Sequence, residues 1–328
     1  MQSVLHNIVG PTEVQPDNLV GRTGVVLGGA SGIGYEVSRA LAHAGCKVIM
    51  VSRKEEHGKE ALSKIKQETP DADIEWKECD TSDLKQAKAV FSDLRESLER
   101  LNFLVLCAGI NATPYETDAD GIERIFSVNY LGQYYATNLL WPLIRKTSLS
   151  PGVLAPRVVI VTSELHRAAP SDAKFESLEE INDPELDPAQ RYGRSKLAQI
   201  LFIKYGLLER VIKPSSDSVY ALSVHPGTVN TGIQQQWKEA YPGITGKLIS
   251  WAVQSVGRDP EQGSYGTLWA LTSSDVSEKQ QNGYYYTDPG KAVKESAQAS
   301  DAKLGEALWK LSEKLVRDKV GEEALVEW

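Results

Sequence analysis

Tyr192 and Lys196 are the pair of residues whose types and spacing point most directly to chemistry. They are four positions apart, which puts both side chains on one face of a helix. A free phenol has a pKa near 10, and a neighbouring ammonium is expected to lower it by ~1–3 units, into a useful range for proton transfer. None of the other 12 tyrosines is followed by a lysine at this distance. The pair therefore predicts general acid–base chemistry with Tyr192 as the proton donor.

Two polar residues extend this candidate site. Ser163 follows the apolar stretch 158–162, at the C-terminal end of a predicted strand. Open α/β sheets bind ligands at that end, where a hydroxyl can hydrogen-bond a substrate oxygen and stabilise its developing charge. Asn129 lies within the apolar segment 126–131. A lone serine or asparagine is usually structural, so both assignments depend on the other motifs.

A glycine-rich turn follows the first predicted strand. Its glycines have the spacing G-x-x-x-G-x-G and precede a helix-length segment with apolar residues at helical spacing. Glycines permit a tight turn and close approach of a pyrophosphate to backbone N–H groups, and the helix dipole favours that anion. A structural turn would look similar, but the flanking strand and helix favour a dinucleotide site. The predicted binding residues are Gly28, Ser31, Gly32, Ile33 and Gly34.

The end of the second predicted strand indicates which cofactor binds. An NAD site typically places a carboxylate there for the ribose 2′-hydroxyl. This chain instead offers Ser52, Arg53 and Lys54, of which the two cations can pair with a 2′-phosphate. The alternative is that both cations are solvated residues at a helix start. We predict NADPH/NADP+ as the cofactor.

These residues must be positioned by alternating strands and helices. Strand–helix alternation predicts an α/β fold, a doubly wound parallel sheet (Rossmann fold) in three α/β/α layers. The predicted helices include one stopped by Gly45, one from Asp187-Pro188 to about Glu209, and a C-terminal one over 301–317. The predicted strands are 24–27, 47–51, 74–77, 103–107, 157–162 and 219–224. We expect one domain over 1–328, with a core of about 21–290 and an insertion at about 166–187.

Composition excludes several other classes of protein. The 36 basic and 44 acidic residues give a net charge of -8, which argues against a nucleic acid or an anionic membrane as partner. The sequence contains no ~20-residue apolar span and no secretory leader pattern, so no membrane anchor is expected. Cys46, Cys79 and Cys107 are widely spaced in or beside apolar stretches, as small buried residues are. We therefore predict a cytoplasmic protein without metal ions or disulfides.

Across about residues 21–290 the sequence resembles the short-chain dehydrogenase/reductase family. The matching motifs are the glycine turn, Asp80, Cys107-Ala108-Gly109, Asn129, Ser163, Tyr192-Gly193-Arg194-Ser195-Lys196, and His225-Pro226-Gly227 with Thr231. The resemblance implies a catalytic Ser–Tyr–Lys–Asn set in which Lys196 also grips the nicotinamide ribose and Asn129 holds a proton-relay water through its backbone. It also implies cofactor contacts from Asp80, Thr81, Ala108, Gly109, Asn129, Tyr192, Pro226, Gly227 and Thr231.

The gap between Ser163 and Tyr192 and the segment 196–202 resemble the retinol-dehydrogenase-like branch, and similar proteins occur in fungal metabolism. Two positions depart from the family pattern. Leu27 stands where the family has a threonine, and Cys107 where it has an asparagine, so each position lacks a polar contact. Neither position performs the chemistry, so the departures affect cofactor affinity more than reaction type.

The substrate is expected to be an apolar ketone, aldehyde or alcohol. A lid at about 231–257 contains apolar and aromatic residues: Trp237, Tyr241, Ile244, Leu248 and Trp251. Ordinary helix packing is the alternative explanation for them. We expect His166 to be a surface histidine with its hydrogen bonds satisfied. The alternative is that it faces the pocket.

Rival functions stay open at this point. They are a non-redox or cyclising step of secondary metabolism on the same scaffold, and a non-catalytic NADPH-sensing protein. A sensor has no need of Tyr192 and Lys196, which counts against it. The resemblance also leaves a homodimer or homotetramer possible, paired through the helices at about 129–142 and 192–209.

Overall fold

Eight strands form one sheet in the computed structural model, which describes residues 10–150, 154–230, 240–241 and 257–328. The strand order is β3-β2-β1-β4-β5-β6-β7-β8, parallel throughout except that β8 pairs antiparallel with β7. The order reverses between β1 and β4, the switch point where doubly wound sheets bind ligands. The strands are β1 Thr23–Leu27, β2 Lys47–Ser52, β3 Ile74–Glu78, β4 Phe103–Leu106, β5 Arg157–Val161, β6 Tyr220–Val224, β7 Tyr285–Asp288 and β8 Lys291–Ala292.

Helices connect the strands, and two of them contain π-helical turns. Helix α4 consists of Arg124–Phe126, the π-helical turn Ser127–Leu131 and Gly132–Ser148. Helix α6 consists of Pro188–Leu201, the π-helical segment Phe202–Ile212 and Lys213–Ser215. The other helices are α1 Gly32–His43, α2 Glu55–Glu68, α3 Leu84–Ser97, α5 Leu178–Ile181, α7 Pro260–Thr272, α8 Ser274–Glu278 and α9 Ala302–Val320. Among the described helices, none combines the length and apolar character needed to cross a membrane.

The strands are buried because helices pack on both faces of the sheet. Successive residues of a strand point to opposite faces, so Val25 and Leu27 join one hydrophobic cluster while Val26 joins the other. Helices α3, α4, α6 and α9 contribute to the first cluster, and α1, α2 and α7 contribute to the second. This α/β/α layering confirms the predicted fold class.

The six predicted strands agree with the structure to within one residue at each end. Strands β7 and β8 were not predicted, because they are short and follow a turn-rich tail without an alternating pattern. Helix α6 begins at Pro188 with Asp187 as its N-cap, as predicted, but its helical path continues to Ser215. Helix α9 begins at Ala302, one residue after the predicted start, has Asp301 as its N-cap, and ends at Val320, three residues later than expected.

Candidate active site

Strand β5 and helix α6 bring the predicted acid–base residues together. Ser163 lies two residues beyond β5 and caps a 3₁₀ helix, Glu164–Ala168. Tyr192 and Lys196 lie in the first turns of α6, and the Tyr192 phenol is hydrogen-bonded to Ser163. The two elements approach closely because residue 193 is glycine: a Cβ there would lie 2.6 Å from the Leu165 backbone oxygen. Gly193 therefore lets the helix bring Tyr192 within reach of Ser163.

Burial sets the protonation of the pair. It raises the pKa of Tyr192 to about 12, against a smaller opposite effect of the hydrogen bond with Ser163. It lowers the pKa of Lys196 to about 8, opposed by the nearby Cys107. The expected lowering of the Tyr192 pKa is therefore wrong for this structure. The Lys196 nitrogen lies 5.5 Å from the centre of the tyrosine ring, and the loss of solvation outweighs any help from its charge.

Asn129 lies in the π-helical turn of α4, a type of irregularity that is frequent at functional sites. Its side chain is fully buried and forms hydrogen bonds with both backbone groups of Ile110, in the loop after β4. The Asn129 Oδ1 accepts from the Ile110 amide at 2.8 Å, and Nδ2 donates to the Ile110 oxygen at 3.0 Å. Nδ2 also donates to Ser195 Oγ at 3.0 Å, and that hydroxyl donates to the Tyr192 backbone oxygen at 2.7 Å. Asn129 is thus connected to helix α6 through Ser195.

The backbone oxygen of Asn129 is held by two glutamines that the sequence analysis did not single out. Gln133 Nε2 donates to it at 2.7 Å and Gln199 Nε2 at 2.6 Å. A carbonyl oxygen has two lone pairs, and both are used here. The carbonyl on which the resemblance implies a relay water is thus already contacted by two side-chain amides. The only sequence signal for these residues was their helical spacing, four positions after Asn129 and three after Lys196.

The glycine-rich turn has the shape that the sequence predicts. Gly28 has φ +77° and Gly32 has φ +54°, values that favour glycine. A Cβ at Gly34 would lie 2.2 Å from the Gly28 oxygen, and one at Gly28 would lie 2.7 Å from the Ala108 amide. Ser31 is the exposed N-cap of α1, and among the described residues its side chain forms no capping hydrogen bond. The first amides of α1 and the Ser31 hydroxyl thus fit a pyrophosphate.

The residues predicted to select the cofactor lie together at the end of β2. Ser52 Oγ accepts a hydrogen bond from the Trp76 indole nitrogen at 2.9 Å. Arg53 is about half exposed, and its guanidinium lies 3.5 Å from an Asp80 carboxylate oxygen. The other Asp80 oxygen accepts hydrogen bonds from the amide and the hydroxyl of Ser82. Asp80 therefore shapes its own loop and also contacts Arg53.

The remaining predicted cofactor residues surround the switch point. Gly109 is next to two of the predicted catalytic residues: a Cβ there would lie 3.3 Å from Asn129 Oδ1 and 4.0 Å from Lys196 Nζ. The Ala108 oxygen accepts from Gln133 Nε2 at 2.6 Å, a polar contact that braces this loop although Cys107 replaces the family's asparagine. Thr81 is buried, and its backbone packs on Gly132 of α4.

The turn after β6 is held by an arginine that no motif in the sequence indicates. Gly227 has φ +83°, and Arg258 donates to the Pro226 oxygen at 3.2 Å while pairing with Asp288 at 2.8 Å. Arg258 lies 31 positions after Gly227, so no local pattern indicates this contact. Thr231, the last predicted cofactor residue, lies outside the described residues.

His166 is not the surface residue that we expected. Its side chain is fully buried, and both ring nitrogens are hydrogen-bonded, one to the Ser163 backbone oxygen and the other to the Ser296 amide. The predicted insertion folds from Ser163 into the 3₁₀ helix and α5, and this places His166 underneath the site.

Of the predicted lid, only Tyr241 and residues 240 and 257 are described. Tyr241 OH donates to the Asp187 carboxylate at 2.6 Å, at the start of the helix that carries Tyr192. Four other predicted lid residues lie outside the described residues: Trp237, Ile244, Leu248 and Trp251. In the described part of the chain, no group of three or more His, Cys, Asp or Glu side chains is placed to hold a metal ion.

Several known proteins are similar to this chain in sequence or in fold. The short chain dehydrogenase family profile matches residues 22–165. The short chain dehydrogenase/reductase dpchH of Colletotrichum higginsianum is 32% identical over 317 residues, covering 92% of this chain and 77% of the relative. Polyprenol dehydrogenase of Homo sapiens is 30% identical, covering 89% of this chain and 84% of the relative. A crystal structure from Mycobacterium paratuberculosis superimposes with a TM-score of 0.68 at 27% identity, covering 94% of this chain and 98% of that one.

The identity and coverage of these relatives, together with the sheet order, agree with the resemblance in the sequence. This chain belongs to the short-chain dehydrogenase/reductase family, whose members are nicotinamide-dependent oxidoreductases acting on CH–OH and C=O groups.

Proposed function

We propose that this protein is an NADPH-dependent oxidoreductase that transfers a hydride between nicotinamide and a carbonyl or alcohol carbon of an apolar small molecule. The observation that carries the proposal is the Tyr192 phenol hydrogen-bonded to Ser163, with Lys196 buried on the same helix face. A nicotinamide cofactor, when bound, supplies or accepts the hydride. The chain itself holds the substrate oxygen and moves a proton.

The protonation of Tyr192 favours carbonyl reduction. With a pKa of about 12, the phenol carries its proton throughout the neutral range. It can therefore donate that proton to a substrate oxygen as the oxygen gains negative charge. The Ser163 hydroxyl stabilises the same oxygen by a second hydrogen bond. Lys196 donates to the Val161 oxygen at 3.0 Å and, in this proposal, holds the nicotinamide ribose. Asn129 acts through its side chain, which fixes the loop beside Gly109 and the start of α6.

The preference for NADPH is supported by the charges at the end of β2. Arg53 is half exposed, and its ion pair with Asp80 is long, so the guanidinium can turn to a 2′-phosphate at little energetic cost. The Ser52 hydroxyl already accepts a hydrogen bond from Trp76, which leaves its proton available for an anion. Lys54 adds a second positive charge beside them. The phosphate-binding contacts proposed for Gly28, Ser31, Gly32, Ile33 and Gly34 apply to either nicotinamide cofactor.

An apolar substrate is supported by the surface beside Ser163. Leu165 is 37% exposed two residues beyond Ser163, at the end of the sheet where ligands bind. The human relative is named for a polyprenol, which is an apolar alcohol. Three cysteines are free thiols, Cys46, Cys79 and Cys107, which fits a cytoplasmic location, and we include that location in the proposal. The proposal also includes a single domain and membership of the retinol-dehydrogenase-like branch.

The test is NADPH consumption by the purified protein with a panel of apolar aldehydes and ketones, with NADH in parallel and Tyr192→Phe as the control. NADPH-selective turnover that the control lacks would support the proposal. Tight NADPH binding without turnover of any carbonyl would contradict it and would favour a non-redox step or a cofactor-sensing role.

A further inference from the structure

His166 lies directly beneath the proposed catalytic serine. Its Nδ1 lies 2.8 Å from the Ser163 backbone oxygen, and its Nε2 accepts a hydrogen bond from the Ser296 amide at 3.1 Å. The ring is fully buried and packs edge-on against Tyr285, with ring centres 5.3 Å apart. Ser163 and Ser296 are 133 positions apart in the chain, so this imidazole connects two distant segments.

The two hydrogen bonds together determine the protonation of the ring. The Ser296 amide can only donate, so Nε2 must carry a lone pair. A neutral imidazole with an unprotonated Nε2 has its proton on Nδ1, and that N–H donates to the Ser163 oxygen. An imidazolium would place an N–H against the Ser296 N–H. Burial also lowers the pKa of His166, in agreement with a neutral ring.

The hydrogen bond between the His166 ring and the Ser163 backbone oxygen affects the orientation of the Ser163 hydroxyl. The Ser163 backbone oxygen accepts from the His166 amide at 3.1 Å as well as from the ring, while Ser163 Oγ accepts from the Leu165 amide at 3.1 Å. The peptide that carries Ser163 is thus held from one side by His166. Helix α6 also packs against the 3₁₀ helix that follows Ser163, at Gly193. The position of Ser163 relative to Tyr192 depends on both contacts.

We propose that His166 is a positioning residue for Ser163: its neutral, Nδ1-protonated imidazole holds the Ser163 carbonyl and anchors it to the backbone of Ser296. Its effect on the reaction rests on the proposed function, whereas its anchoring contact does not. His166 touches neither substrate nor cofactor in this assignment. It acts by keeping the Ser163 hydroxyl directed at the substrate oxygen.

The anchoring contact is tested on the wild-type protein by a long-range ¹H–¹⁵N correlation spectrum of the histidine rings at neutral pH. The chain has five histidines, and the His166→Asn variant identifies the signals of His166 by their loss. The expected spectrum shows a neutral ring with the proton on Nδ1. A proton on Nε2, or a doubly protonated ring, would overturn the inference.

Two variants then test the effect on catalysis, with the carbonyl substrate found best for the wild type. His166→Asn keeps an N–H near the position of Nδ1, and His166→Gln keeps an oxygen acceptor near the position of Nε2. Each loses one hydrogen bond, so similar losses in Tm are expected. Because only asparagine retains the donor to Ser163, we expect kcat to fall about five- to tenfold in His166→Gln and about twofold or less in His166→Asn. The Kd for NADPH should not change in either variant.

Equal losses of kcat in the two variants would show a purely structural role and overturn the inference. If the wild type reduces no carbonyl, the proposed function fails, while the ring spectrum and the Tm values still decide the anchoring contact. If neither variant folds, the contact between the His166 and Tyr285 rings identifies the His166 signals, and the wild-type spectrum decides the anchoring contact.

Discussion

The ammonium nitrogen of Lys196 lies 5.5 Å from the centre of the Tyr192 ring and donates to the Val161 backbone oxygen. Burial acts on both groups in opposite directions, raising the pKa of the phenol and lowering that of the ammonium. In each case it favours the neutral form. The protein therefore keeps a cation at a position where the charge is costly, as expected of a group retained for function.

Lys196→Met should abolish turnover and make the folded protein more stable at pH 7. The lowering of the Lys196 pKa from 10.5 to about 8 corresponds to ~3 kcal/mol against the charged form in the folded state. Loss of the hydrogen bond to Val161 offsets part of this gain, which leaves about 1–2 kcal/mol. Urea unfolding at pH 7 measures the difference.

The difference in unfolding free energy between Lys196→Met and the wild type should also depend on pH, which gives a second check. Between pH 8 and 10.5 the unfolded lysine keeps its proton while the folded one has lost it, so wild-type stability rises with pH. The advantage of Lys196→Met should therefore shrink as the pH rises from 8 towards 10. An advantage that stays constant would show that the ammonium is not the cause.

Tyr192→Phe should lower kcat by ~100-fold or more, because it removes the proposed proton donor. The Kd for NADPH should stay nearly unchanged, since the ring and its packing are kept. Stopped-flow turnover and fluorescence titration measure the two quantities. Activity comparable to the wild type would contradict the mechanism.

Arg53→Asp should weaken NADPH binding by about tenfold or more and NADH binding much less. The change replaces a cation by an anion where we place the 2′-phosphate. Titration of both cofactors measures the ratio of their Kd values. Arg95→Asp is the matched control, because Arg95 lies in the last turn of α3, away from the end of β2. An unchanged ratio in Arg53→Asp would refute the cofactor assignment.

Gly34→Ala should disrupt the phosphate-binding turn. Its Cβ would lie 2.2 Å from the Gly28 oxygen, so the backbone must move. We expect the affinity for NADPH to fall about tenfold or more, because the amides of α1 lose their alignment. Gly24→Ala is the control: its Cβ would be 3.5 Å from the nearest atom, which is ordinary contact. Equal affinities in the two variants would argue against this turn as the cofactor site.

Features that depend on residues close together in the sequence could be predicted from the sequence alone. Buried parallel strands are continuous apolar runs, which located β1 to β6 to within one residue. The glycine turn and the Tyr192–Lys196 spacing are also local, because one helix or one turn contains all their parts. Strand β8 has two residues, too few for any period.

Burial and contacts between distant segments were decided only by the tertiary structure. The sequence by itself determined that Tyr192 and Lys196 share a helix face, but the direction of the Tyr192 pKa depends on how deeply the fold buries the phenol. His166 is buried because Tyr285 and Ser296 pack on it from far along the chain. The two glutamines reach the Asn129 oxygen from different helices, α4 and α6. Residue spacing reports which side chains share a face, whereas desolvation and the pairing of polar atoms depend on what the fold places opposite that face.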